Sequence, residues 1–128
     1  MPNKPIKQGY KIYGLADHGY VYSFKWSSKL YGLKEITIIE ELTNTGSLVH
    51  ALVDTLPRNS LTIYMDNYFT SVPLFNSLRS NYFSAVGTTR PHDKFPPELA
   101  QLKKDNLASK LEWNTLFAKV VDNTLCFA

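Results

Sequence analysis

The sequence predicts an α/β domain, and three observations carry that prediction. Leu61 to Met65 is an apolar run that ends on a carboxylate, Asp66. A short apolar-striped segment and a second β-like run follow it, so that Leu61–Thr88 reads as strand, helix, strand. Upstream, Tyr20 to Trp26 alternates large rings with other residues at the period of a strand. A carboxylate at the carboxyl end of a buried strand sits where open α/β sheets present their ligand groups.

Residues 2–8, PNKPIKQ, read as loop from two prolines and polar filler. Gly9 to Ala16 reads as a strand, Asp17-His18-Gly19 as a turn, and Tyr20 to Trp26 as the return strand of a hairpin over 9–26. Tyr20, Tyr22, Phe24 and Trp26 give that strand one wholly aromatic face. Residues 27–45 are ambiguous: ITII at 36–39 suits a short strand, and 34–42 suits a helix equally well. Thr45 or Ser47 can cap a helix over 46–56, because Leu48, Val49, Leu52, Val53 and Leu56 form one stripe at helical period and Pro57 stops it. His50 falls off that stripe and reads as a surface residue.

After the strand 61–65, Ser71 can cap a helix over 72–80, with Pro73 tolerated in its first turn. Leu74, Phe75 and Leu78 are its inward stripe, and Tyr82 to Thr88 is the next strand. A connection of this length suits a parallel crossover. Pro96-Pro97 opens a helix over 98–104, with Leu99 and Leu102 inward. A closing hairpin over 111–127 turns at Asp122-Asn123.

At 128 residues, with 44% hydrophobic and 20% charged, the chain suits one folded domain rather than two or a disordered segment. The net charge of +3 is uneven: residues 1–34 carry six lysines against one acid, Asp17, a local excess of +5. That excess fits either a solvated basic face or a polyanionic partner. One cysteine, Cys126, allows no internal disulfide, and His18, His50 and His92 are too scattered for a local metal motif. No run approaches the ~18 apolar residues of a membrane span, and the N-terminus lacks the apolar core of a signal peptide. The expectation is a nuclear or otherwise intracellular protein, not a secreted one. The final residues, LCFA, stop inside a strand-like run, which suggests a fragment.

On local sequence alone, Asp66 suits a cap or Asx-turn residue as well as a ligand. No Gly-x-Ser-x-Gly elbow, phosphate loop or His-Glu-x-x-His motif argues for an unrelated enzyme built on it.

The order of elements and two boxes narrow the reading. MPNKP is followed by GYKIYGLADHGYVYSF. After a variable segment come Asp66-Asn67-Tyr68-Phe69-Thr70-Ser71 and Gly87-Thr88-Thr89-Arg90. This arrangement resembles the piggyBac family of DDE transposases. Trp113 and the hairpin after it are also similar to that family's run toward its third catalytic Asp. The resemblance covers nearly the whole chain and rests on both boxes in order. It implies a ribonuclease-H-like core, incomplete here and lacking the first central strand. It implies that Asp66 matches the second of three catalytic, metal-binding carboxylates. It implies Mg²⁺ or Mn²⁺ in the intact parent, two ions acting in an in-line displacement at a DNA phosphate.

The resemblance further implies DNA phosphate contacts for Lys4, Lys7 and Arg90. Asp17 is not among the family's catalytic residues and reads as a turn former beside Gly19. The other two carboxylates of the family lie upstream of Pro-Asn-Lys-Pro and beyond the last hairpin. The chain alone is therefore expected to be inactive, with open strand edges that leave it marginal or in need of another transposase chain or its own copy. The alternative is a domesticated or decayed, non-catalytic module that binds DNA or a partner.

Overall fold

The computed structural model describes residues 9–27, 36–57, 61–90, 95–104 and 114–127. Lys4, Lys7 and Trp113, singled out above, lie outside them. Within the span read as one domain, the chain divides into two compact units after Pro57. The described strands form three two-stranded sheets.

In the first unit, β1 (Ile12–Asp17) and β2 (Tyr20–Trp26) form an antiparallel hairpin. The turn is two residues long, His18 (φ 45°) and Gly19 (φ 83°). Two successive positive φ values match the right-handed twist of a hairpin, which is why Gly19 sits there. Leu15 pairs with Ser23 and Ala16 with Val21, so Tyr22 is an extra, bulged residue. Tyr20, Tyr22, Phe24 and Trp26 are all exposed, but not as the single aromatic face expected: past the bulge Tyr20 pairs with Asp17, on the other side of the hairpin from Phe24 and Trp26. Their rings meet edge to face, Tyr20 to Tyr22 at 4.9 Å and Phe24 to Trp26 at 6.2 Å. The opposite face buries Tyr13, and α1 (Asn44–Val53) packs against both strands.

Four expectations for this region are corrected. The helix begins earlier than 46, because Thr43 is its cap; the Thr43 hydroxyl accepts the Gly46 amide at 3.1 Å. Neither Thr45 nor Ser47 caps it. Ser47 is buried, and its hydroxyl accepts the Ile39 amide at 3.0 Å. ITII at 36–39 is neither strand nor helix; its last residue is tied to the helix through that bond, while Ile36 is buried. His50 is buried, not a surface residue. Gly46 through His50, Leu52 and Val53 are all buried, so the helix is covered around most of its circumference and lying off the apolar stripe does not mean lying in water. The helix ends at Val53, with a turn before Pro57.

In the second unit, β3 (Thr62–Met65) and β4 (Ser84–Gly87) pair in parallel, Thr62 with Ser84 through Met65 with Gly87. The crossover is α2 (Val72–Ser80), capped by Ser71 with Pro73 in its first turn. Leu74 and Leu78, one helical turn apart, are fully buried, and Ile63 and Phe83 are buried in the same unit. The helix closes in a Schellman arrangement. Phe83 donates to the Leu78 carbonyl (3.0 Å) and Tyr82 to the Arg79 carbonyl (2.9 Å), with Tyr82 at φ 65°. The unit is completed by α3 (Pro97–Lys104), with Leu99 buried, and by the hairpin of β5 (Ala118–Val121) and β6 (Thr124–Phe127). Its turn, Asp122 and Asn123, again has two positive φ values. Arg79 donates to the Asn123 carbonyl at 2.7 Å, and Lys119 pairs with Glu98.

Candidate functional site

Asp66 is the first residue beyond β3, exposed at the strand's carboxyl end. Its position follows from local chemistry. The apolar strand stops at Met65, and the next four residues close a turn on Asp66 itself. The Asp66 carbonyl accepts the Phe69 amide (3.2 Å), the Thr70 amide (3.2 Å) and the Thr70 hydroxyl (2.8 Å). The carboxylate Oδ1 accepts the Tyr68 amide at 2.9 Å, an Asx turn. Asp66 is therefore a turn former, as its local sequence allowed. The turn role does not exhaust it: a carboxylate has about four acceptor positions, and the Tyr68 amide takes one. Tyr68 and Phe69 pack edge to face at 5.1 Å, and Ser71 then starts α2 by accepting the Leu74 amide at 3.4 Å.

Because β3 and β4 run in parallel and Met65 stands opposite Gly87, Asp66 and the segment Thr88–Arg90 leave the sheet at the same end. Arg90 is exposed there. Asn67 is an exposed member of the turn. An apolar groove of about 520 Å³ lies alongside, lined in part by Met65, Thr70, Val86, Gly87 and Leu99. Asp17, by contrast, closes the hairpin of the other unit, with its Oδ1 2.6 Å from His18 Nδ1 on an open surface. Lys4 and Lys7 lie outside the described residues.

Among the described residues no three His, Cys, Asp or Glu side chains come together in a group that could hold a metal ion. One carboxylate with main-chain neighbours does not make a two-cation site, so the residues described here do not fit that group by themselves. Sequence reasoning named Gly87 as part of a box but gave it no role. In the structure it is the residue against which the Asp66 turn is packed: a Cβ there would lie 2.2 Å from the Thr70 hydroxyl. A glycine ending a strand that does not turn was the available signal.

A sequence-family model described as Transposase IS4, of the DDE transposases, matches residues 1–127. Among solved structures, the chain is similar to the piggyBac transposase in a cryo-EM structure of its synaptic complex with hairpin DNA. The TM-score is 0.64 at 27% sequence identity, over 94% of this chain and 24% of that one. This chain thus spans about a quarter of the length of the transposase it matches. No curated protein sequence matches it.

Proposed function

Since the chain belongs to the IS4-type family of DDE transposases, with piggyBac transposase as a structural relative, we propose that it is a piece of a catalytic domain whose complete protein cuts and rejoins DNA. Asp66 is the carboxylate it contributes to that chemistry. The observation that carries the reading is the placement of Asp66, exposed at the carboxyl end of a strand whose parallel neighbour delivers Arg90 to the same edge. On this reading the core is of ribonuclease-H type. Divalent metal use belongs to the complete enzyme of this family. Here Asp66 would be one ligand among carboxylates that lie outside the described residues, so no metal-dependent step is assigned to this chain alone.

The complementary roles are those of position and charge. Arg90 would meet a DNA phosphate at the sheet edge, and Lys4 and Lys7 would add sequence-independent phosphate contacts. The test is excision of a DNA segment by the complete protein. Asp66→Ala is expected to reduce excision to background, and excision at the level of the unaltered protein refutes the assignment.

A second reading has its own observation: the described residues hold no metal-ligand cluster, while residues 1–34 are strongly basic. On that reading the chain is a decayed or domesticated module that binds DNA without cutting it. Its affinity should then fall steeply with salt. Replacing Lys4, Lys7 and Lys11 by Gln should reduce the slope of log K against log salt by about 2.7, at roughly 0.9 per phosphate contact on duplex DNA. No binding at low salt ends this reading.

A further inference from the structure

We infer that Gly87 is a positioning residue for Asp66, acting through Thr70; the inference deepens the reading of Asp66 and rests on it. Gly87 is the last residue of β4 and stands opposite Met65, the residue before Asp66. Its backbone needs no glycine, because its φ is not positive; the positive-φ glycine among the described residues is Gly19. What Gly87 lacks is room. A Cβ placed there would meet the Thr70 hydroxyl oxygen at 2.2 Å, and Met65 Cγ and the Met65 carbonyl oxygen at 3.1 Å each. The second and third contacts need a few tenths of an ångström of relief. The first is a collision.

The atom hit is the one that ties the turn together. The Thr70 hydroxyl donates to the Asp66 carbonyl at 2.8 Å, and the Thr70 amide closes on the same oxygen. Thr70 is short and β-branched, so its oxygen can leave only by a full rotamer change, which breaks that hydrogen bond. Otherwise β4 must part from the turn. In either case the Asp66 carbonyl loses its fixed direction. The Asx bond from Tyr68 to the carboxylate, which closes inside the same turn, loosens with it. The bare Cα of Gly87 thus lets β4 approach closely enough to hold the carboxylate's aim.

The experiment compares four variants of the 128-residue chain by NMR: Gly87→Ala, Thr70→Ala, Gly87→Ala/Thr70→Ala and Gly87→Ala/Thr70→Val. The readout is the exchange rate of the Tyr68 amide relative to the Leu78 amide inside α2. Gly87→Ala is expected to speed Tyr68 exchange about tenfold against that reference, the scale of one opened hydrogen bond. Thr70→Ala removes the colliding atom, so its double variant should return to the rate of Thr70→Ala alone. Val puts a methyl group where the hydroxyl lies, so the Val double variant should stay fast. Unchanged Tyr68 exchange in Gly87→Ala overturns the inference, as does equal rescue by Ala and Val. If Gly87→Ala does not fold, recovery of a folded spectrum with Ala but not Val supports it, and recovery with neither or with both overturns it. The reading of Asp66 as a catalytic carboxylate fails separately, if excision survives Asp66→Ala while this exchange pattern holds.

Discussion

Replacing Asp66 by Asn and by Ala separates its two roles, because the structural part of its work needs an oxygen and the proposed chemical part needs a charge. Its Oδ1 accepts the Tyr68 amide at 2.9 Å on an exposed turn. A typical hydrogen bond contributes about 0.5–1.5 kcal/mol net, and an exposed amide that water can reclaim belongs at the low end. Asn keeps an acceptor oxygen on the same short stem, so Asp66→Asn should stay within about 0.5 kcal/mol of the unaltered chain. Ala keeps none and should lose about 1 kcal/mol, which for a unit of this size is about 4–8 °C in Tm. Far-UV circular dichroism during thermal or urea unfolding measures both. Excision by the complete protein should be lost in both variants, although only one of them is destabilised. Excision by Asp66→Asn at the unaltered level would reduce Asp66 to a turn former. Asp66→Asn less stable than Asp66→Ala would show that the charge itself supports the fold.

Two further outcomes follow from the second unit. Tyr82 ends α2 in a left-handed conformation that costs a side chain about 1–2 kcal/mol, and its ring is largely exposed, so Tyr82→Gly should stabilise the chain by about 1 kcal/mol in urea titration; a loss of stability would mean the ring packs better than its exposure implies. Burial pushes the Cys126 thiol above its ordinary range, so its contribution to stability is intact below the unfolded thiol's pKa and is lost as pH rises through the higher folded value. Iodoacetamide at pH 8 should therefore alkylate Cys126 about tenfold more slowly in the folded chain than in urea, and equal rates would refute its burial.

Features whose determinants are neighbours in sequence were legible before the fold was known. The hairpin turn at His18–Gly19, the strand entering Asp66 and the Ser71 cap before Pro73 each depend on residues within a few positions of one another. The start of α1 was not legible, because Thr43, Asn44, Thr45 and Ser47 are all competent caps and only the fold selects among them. Ser47 was spent elsewhere, on an amide eight residues upstream. His50 was misplaced for a related reason: periodicity reports which face is most apolar, and cannot report how much of the remaining circumference is covered. At the site, the Asx turn could be read from Asp66 alone. The Thr70–Gly87 approach could not, since it joins residues on either side of a crossover helix.

That approach is also what makes the site self-contained. Among the described residues, the hydrogen bonds that orient Asp66 come from Tyr68, Phe69 and Thr70, and the strand that crowds the turn returns within the same strand–helix–strand unit. The hairpin of the first unit shows the opposite condition, with four aromatic side chains of one strand left exposed. The Asp66 carboxylate thus has a local support for its direction, whereas exposed aromatic rings depend on what is laid over them. On the proposed reading, aim and reactivity are separable: the direction of Asp66 is encoded between Leu61 and Arg90, while the other ligands of a two-cation site would come from outside the described residues.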